Sequence, residues 1–472
     1  MQLTTQDFAC GIEPLQDRWL LGGVILFLLL YGFLSIRYAA NYIGFASQIE
    51  KLFLGLIIFC SANIKNTPFL HWHLQYLIIP PQNECLAYFQ IFLHLLLFFI
   101  LLFRISTIFR KMVSSDFHQS LMSNFFVWSI PLLALFSTLW SDTPGVALRG
   151  GIVLLFINFL GLYTSVFYNQ VNLSAFFRYA GTLIILLSFM SGEVGDDGSL
   201  VGILFSKNSL GSIAAFTLIL WLVSFLYYPR ERLIAFPAML ISMLAVLASQ
   251  SGGGLFTLIS LFLILMLLKI TKTFSIKYLI PLYIALILFL SLCGYLLITN
   301  LENLLALINK DLTFTGRVPL WAEVWSAVLQ KPFFGYGSHS FWQSWRGIEN
   351  PAAQLLNGYW LWEPPHSHLG FLDIWVDLGL VGFIIFMLSV LVSLVLAFLQ
   401  FRKDIKLGTI SIMCFSYVII SNLSESSLIQ PSFSWLIFCF ISLKLSIYGF
   451  EGRSGNQENR QHLSSLRKFE IL

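Results

Sequence analysis

The chain has 472 residues, of which 57% are hydrophobic and only 11% are charged. A soluble domain carries about 25% charged residues, so this chain has too few charges to cover a surface that faces water. The same numbers exclude a disordered protein. A net charge of +4, scattered along the chain, also argues against nucleic acid as a partner. The composition therefore predicts an integral membrane protein with many spans.

A helix that crosses a bilayer needs about 20 mostly apolar residues. Since lipid offers no partner for open backbone groups, the predicted fold is all-α. Candidate spans are residues 19–36, 43–63, 85–103, 124–140, 146–168, 178–195, 208–227, 233–249, 254–269, 277–298, 370–399, 408–423 and 432–449. Glu50 and Lys51 interrupt the second of these, so we expect a polytopic protein of twelve or thirteen transmembrane helices.

The basic residues predict the orientation of the spans. Clusters of them follow the third, seventh, ninth and eleventh spans and occupy the C-terminal tail, which places these five clusters on one side. By the positive-inside rule, that side is the cytoplasm. The other side then holds one extended loop, residues 299–368, which contains six of the 13 tryptophans.

Five segments follow from these predictions. They are N-terminal transmembrane helices (1–194), central transmembrane helices (195–298), a large periplasmic loop containing short helices (299–369), C-terminal transmembrane helices (370–449) and a cytoplasmic tail (450–472).

The loop contains a predicted helix over residues 313–331, because Arg317, Trp321 and Trp325 recur on one helical face. An arginine beside a helix N-terminus favours an anion such as phosphate. The alternative is an interfacial helix whose tryptophans lie among lipid headgroups. In the turn that follows, two glycines flank Tyr336, whose ring suits either stacking on a sugar or packing within the loop.

Two histidines and two aspartates mark the start of the eleventh span. His366 and His368 precede it, and Asp373 and Asp377 share one of its faces. Ionisable groups inside a span usually face a cavity or a partner, and histidine is the natural general base near neutral pH. His-x-His is also half of a metal site. The spacing shows no third ligand, so we predict no metal and no cofactor.

Other polar residues fall on the same predicted side. Lys207 and Asn208 begin the seventh span, Gln250 and Ser251 lie in the SQSGGG hairpin, and Glu425 lies in SNLSESS. The simpler interpretations are a tight turn between helices and a solvated carboxylate. The predicted substrate-binding residues are Lys207, Asn208, Gln250, Ser251, Trp321, Tyr336, His366, Asp373 and Glu425.

The order of these motifs closely resembles the bacterial O-antigen ligase and polymerase family. TGRVPLWAEVWSAVLQKPFFGYGSHSFW, followed by HSHLGFLDIWVDLGLVG, is similar to that family's Gly-Arg, tryptophan, Pro-x-x-Gly-x-Gly turn and histidine ahead of Leu-Gly-Leu-x-Gly. KNSLG and NLSESSL look like the branch that contains exopolysaccharide polymerases. The resemblance covers roughly residues 195–440.

The resemblance implies a metal-independent glycosyltransferase of the bacterial cytoplasmic (inner) membrane, with its active site facing the periplasm. The donor is a glycan on undecaprenyl diphosphate. The acceptor is lipid A–core in a ligase and another lipid-linked glycan in a polymerase, and other polysaccharide assembly proteins are implied partners. By position, Arg317 corresponds to an arginine that holds the pyrophosphate and His368 to the histidine that activates the acceptor. These two are the expected catalytic residues.

The chain departs from the family pattern at several positions. Leu369 replaces the usual asparagine after the histidine, and the hairpin at residues 251–253 lacks the family's arginine, which leaves Lys207 as the nearest substitute cation. We expect small residues at 252–254 to leave room for a lipid chain. An alternative function is a transporter or flippase of lipid-linked oligosaccharides, which also needs many spans and intramembrane charges.

Overall fold

The computed structural model describes residues 43–62, 64, 124–273, 317–343, 350–352 and 364–447. In these ranges every regular element is a helix, and extended pairing is limited to two isolated β-bridges. The predicted all-α fold is therefore confirmed. The predicted spans 19–36, 85–103 and 277–298 and the tail 450–472 lie outside the described residues.

The described part of the chain is mainly helical. Its helices are α1 (Ile43–Cys60), α2 (Phe125–Phe136), α3 (Pro144–Phe167), α4 (Gln170–Ser191), α5 (Lys207–Tyr227), α6 (Arg232–Ala248), α7 (Gly252–Thr273), α8 (Arg317–Gln330), α9 (Gly370–Lys403), α10 (Ile405–Ser421) and α11 (Phe433–Ile447). Six of these are long and apolar enough to cross a membrane, namely α3, α4, α5, α6 with the turn before it, α7 and α9. The protein is thus a multi-pass membrane protein, and the total of twelve or thirteen spans stays a prediction.

Local sequence signals set where several helices begin. The Ser206 hydroxyl accepts a hydrogen bond from the Ser209 amide at the start of α5. The Asp404 carboxylate accepts two amide hydrogen bonds at the start of α10. Pro144 occupies the first turn of α3, where its missing N–H costs nothing. The Ser206 and Asp404 caps satisfy backbone donors that each helix itself leaves open.

Helix α5 forms the centre of the bundle and packs against α4, α6, α7 and α10. The Phe216 ring stacks on Tyr417 of α10, with ring centroids 4.2 Å apart. Gly254 of α7 lies directly against the main chain of Gly211, where an added Cβ would come within 2.8 Å. The expectation that residues 252–254 leave room for a lipid chain is therefore wrong at Gly254, where α5 fills the space.

Polar contacts distinguish the two ends of the bundle. At one end, Arg178 forms a 2.7 Å ion pair with Glu231, and Lys406 lies over the Tyr228 ring. The Gln170 amide of α4 bonds to the Leu407 carbonyl at the same end. These contacts join the segments that carry the predicted cytoplasmic charges. The histidines and Glu425 lie at the opposite end, where α5 and α9 begin.

A break at Gly379 divides α9. Its backbone (φ 68°, ψ −171°) is not helical, which frees main-chain groups that a continuous helix would use. The amides of Tyr336 and Gly337 bond to carbonyls of residues 376 and 377, and the amides of residues 380 and 381 bond to carbonyls of Pro332 and Phe333, at 2.8–3.1 Å. Consequently the turn after α8 is joined to α9 by main-chain hydrogen bonds. These bonds fix α8 beside the start of α9.

Candidate active site

Helix α8 begins at Arg317 and presents this side chain to the loop after α10. The predicted helix over 313–331 is confirmed as Arg317–Gln330, and its buried face includes Leu320 and Val324. Arg317 Nη1 donates a 2.7 Å hydrogen bond to the Ser424 carbonyl, and Nη2 lies 3.7 Å from Glu425 Oε1. One nitrogen therefore anchors the guanidinium while the other faces the carboxylate.

The short segment before α9 is held from both sides. Asp373 accepts a hydrogen bond from the Ser367 amide, with its two oxygens at 3.2 and 3.3 Å, and Trp321 donates its indole N–H to the Ser367 carbonyl at 2.9 Å. His368 adopts a left-handed backbone (φ 57°), and its amide donates to His366 Nδ1 at 3.2 Å. Asp373 and Trp321 thus position the two histidines through Ser367.

The loop after α10 is joined to the same place through Asn422. Its carbonyl accepts the Gly370 amide at 3.0 Å, and its side-chain oxygen accepts both the amide and the hydroxyl of Ser427. The start of α9 and the loop that carries Glu425 therefore form one connected unit.

Glu425 lies at the centre of the cluster. Its Oε1 accepts a 2.8 Å hydrogen bond from the Asn208 amide, and its Oε2 lies 3.4 Å from His368 Nδ1. Asn208 in turn accepts a 2.8 Å hydrogen bond from the Ser251 hydroxyl. Five residues that are distant in sequence therefore meet at one end of the bundle: Asn208, Ser251, Arg317, His368 and Glu425.

The charge state of the cluster follows from these contacts. Burial opposes ionisation of Glu425, but the contacts with His368, His366 and Asn208 prevail and hold the pKa of this carboxyl below its usual range. Burial lowers the pKa of His366 to about 4, and the neighbouring His368 adds to the effect. At neutral pH, Glu425 is therefore an anion and His366 is neutral.

Lys207 and Gln250 were also predicted to bind substrate, and their surroundings differ from those of the cluster. Lys207 forms an ion pair with the exposed Asp197, and this pair holds the pKa of the Asp197 carboxyl well below its usual range. The charge of Lys207 is thus already partnered. Gln250 lies in the hairpin before α7 with a left-handed backbone (φ 48°) and an exposed side chain.

Tyr336 is buried within the docked turn, and its hydroxyl donates to the Ala327 carbonyl at 3.2 Å. Its ring therefore packs against α8 inside the loop. Beside it lies a histidine that the sequence analysis did not select, His339, whose amide bonds to Asp377 Oδ2 at 3.1 Å and whose pKa is lowered to about 4 by burial. A polar Ser-His-Ser run between aromatic residues was the available signal for it.

The cluster also contains a potential set of metal ligands. One ligand atom each from His366, His368 and Glu425 lie within 4.8 Å of one another. Sequence spacing could not reveal this set, because the third member comes from a separate loop. Arg317 already places a positive charge against the same carboxylate, which opposes binding of a cation.

A cavity of about 80 Å³ adjoins the cluster. His366 and Glu425 form part of its wall, together with the hydroxyls of serines 209, 212, 421, 426, 427, 432 and 434. A water takes up about 30 Å³ in the liquid, so the cavity has room for a few hydroxyl-sized groups. Its lining offers them hydrogen-bond partners.

The comparisons with known proteins give one match. Residues 237–387 match the family model described as O-antigen ligase, and this stretch includes Arg317, His366 and His368. A comparison with curated proteins finds no match. Residues 237–387 are therefore similar to the O-antigen ligase family, as the order of the sequence motifs predicted.

Proposed function

We propose that this protein is a metal-independent glycosyltransferase that takes its glycan from an undecaprenyl-diphosphate donor. It joins that glycan either to another lipid-linked glycan, as a polymerase, or to lipid A–core, as a ligase, in O-antigen or exopolysaccharide synthesis. The observation that carries the proposal is the meeting of Arg317, His368 and Glu425 at one end of the helix bundle. The loop charges favour the periplasmic side of the bacterial cytoplasmic membrane for that end.

In this proposal His368 is the general base. Its Nδ1 faces Glu425 Oε2, so Nε2 takes the proton of the acceptor hydroxyl. The acceptor oxygen then forms a bond to the anomeric carbon as the bond from that carbon to the diphosphate breaks. Glu425 stabilises the imidazolium that results, and the proton remains on His368 until it is released to water.

Arg317 serves the leaving group. The diphosphate gains negative charge as it departs, and a guanidinium together with the N-terminus of α8 supplies positive potential there. The hydrogen bond from Arg317 to the Ser424 carbonyl holds the guanidinium in place. A diphosphate is already a good leaving group, so the reaction needs neither a strong acid nor a metal ion.

A transporter or flippase of lipid-linked oligosaccharides is the alternative. Transporters typically place their substrate site near the bilayer midplane, between repeats of the fold. Here the charged cluster lies at the end of the bundle, next to loops. This position favours group transfer at the membrane surface over passage through the protein.

The test uses the purified protein in lipid nanodiscs with an undecaprenyl-diphosphate-linked glycan. We expect a new glycosidic bond, seen as a longer glycan by mass spectrometry, and its formation about 10²–10⁴-fold slower with His368→Ala. Movement of the donor without a new bond would favour the transporter. In a deletion strain, loss of chain length indicates a polymerase, whereas unattached full-length polymer indicates a ligase.

A further inference from the structure

An apolar groove lies between α8 and the first part of α9, separate from the hydroxyl-lined cavity. It has a volume of about 470 Å³, within the range of small-molecule sites. We call it the indole groove. Its lining residues are Trp321, Ala322, Trp325, Leu369, Phe371, Leu372, Trp375 and Phe383.

The walls of the indole groove offer almost no hydrogen bonds. The indole N–H of Trp321 is used by the Ser367 carbonyl at 2.9 Å, and that of Trp375 points to the Pro332 carbonyl at 3.3 Å. The Trp375 ring packs edge-on against Trp325 and face-on against Phe383, with centroids 5.1 and 4.9 Å apart. A sugar in this groove would leave its hydroxyls without partners, whereas a hydrocarbon chain would not.

The two ends of the indole groove differ in a way that suits an amphiphile. One end is at Leu369, which directly follows His368, and at Trp321, one helical turn from Arg317. The other end is at Phe383, beyond the break in α9 and within its long apolar run. The groove therefore leads from the charged cluster toward the part of α9 that is long and apolar enough to cross the bilayer.

We infer that the indole groove holds the part of the donor's isoprenoid chain nearest the diphosphate. This inference rests on the proposed function, because it takes the anionic head to bind at Arg317. The isoprenoid chain is solvated as well by lipid as by the indole groove. The groove therefore fixes the position of the isoprenoid more than it adds binding affinity. It aligns the diphosphate with Arg317 and the anomeric carbon with His368.

A first experiment locates the chain without requiring turnover. The wild-type protein in nanodiscs is irradiated with an undecaprenyl diphosphate that carries a diazirine in its first isoprene units, and the labelled peptides are mapped. We expect labels within residues 321–325 and 369–383 that excess undecaprenyl diphosphate suppresses and excess phosphatidylglycerol does not. Labels elsewhere overturn the inference, as does equal suppression by phosphatidylglycerol, which would indicate a site for bulk lipid.

A second experiment varies the groove and the chain together. Ala322→Trp fills the groove from α8, and Trp325→Ala removes a ring that is 43% exposed. We expect each to lower kcat with the undecaprenyl donor about 3- to 10-fold, the scale of lost ring contacts, with KM nearly unchanged, because the groove positions the donor more than it adds affinity. A donor that carries a short alkyl group on its diphosphate in place of the isoprenoid chain should show no such change.

The matched control is Phe398→Ala, which removes a ring that is 51% exposed from the distant part of α9. It should leave both donors unaffected. Equal effects on the donors with and without an isoprenoid chain would overturn the inference. Labelling in the groove combined with no glycosyl transfer by any variant would retain the inference and reject the proposed function.

Discussion

Replacing Glu425 by glutamine tests the electrostatic argument most directly. The amide has the shape of the carboxylate and can still accept the hydrogen bond from Asn208. It lacks the negative charge that faces His368 and Arg317. A change in turnover would therefore report the loss of charge with little loss of packing.

The structure indicates the size of the effect. Glu425 Oε2 lies 3.4 Å from His368 Nδ1, and its carboxylate is the acidic partner that this imidazole meets among the described residues. Hydrogen bonds to charged groups contribute about 1.5–3 kcal/mol. Because each 1.36 kcal/mol is a tenfold change in rate, Glu425→Gln should lower kcat about 10- to 150-fold.

The assay measures formation of the glycosidic bond in nanodiscs, together with KM for the lipid-linked donor and the thermal midpoint of the protein. Glu323→Gln is the matched control, since this carboxylate is exposed on α8 and outside the cluster. We expect wild-type kinetics from the control and a normal midpoint from both variants. If Glu425→Gln keeps more than half of the wild-type kcat, the carboxylate does not support the base and the mechanism is wrong.

The remaining predictions concern the base, the leaving group, metal ions and orientation. His368→Ala should lower turnover about 10²–10⁴-fold, as expected for a lost general base, while His366→Ala should be mild; the reverse order would identify the wrong histidine. Arg317→Ala should weaken donor binding as well as turnover. Arg317→Lys should restore only part of both, because a planar guanidinium that donates two parallel hydrogen bonds is replaced by a point charge. Full restoration would contradict a bidentate contact. Turnover should survive a strong chelator, and a loss that a divalent ion reverses would make the two histidines metal ligands. In intact spheroplasts, a cysteine at the exposed Asp196 should react with a membrane-impermeant thiol reagent and one at the exposed Arg230 should not; opposite labelling would reverse the orientation.

Composition alone was sufficient for the fold class, and periodicity was sufficient for helix α8. Lipid restricts spanning segments to helices, so apolar length is nearly the whole signal. The helix at 317–330 was also predictable, because Arg317 and its tryptophans recur at helical spacing ahead of Pro332. These features depend on residues close together in the chain.

The contacts within the site depend on how distant segments pack, and for that reason they were not predictable. The pairing of Lys207 with Asp197 required the conformation of the preceding loop. The meeting of Glu425 with His368 required the relative placement of α9 and α10. Asp373 was predicted to face a cavity or partner, and its partners are the Ser367 amide and the Trp342 indole N–H. No local pattern encodes these placements.

The docking of the turn on the broken helix α9 has a consequence for how the loop can diversify. The contact runs through main-chain groups and needs a missing Cβ at Gly335 and at Gly379, where an added one would come within 2.6 and 2.2 Å of the opposing backbone. The Phe333 carbonyl accepts the Val381 amide there and the Phe334 main chain lies against Gly379, while the two side chains are 62% and 52% exposed. Related chains should therefore vary freely at these two aromatic positions while keeping both glycines, which would let the surface beside the active site acquire new glycan preferences without moving the histidines.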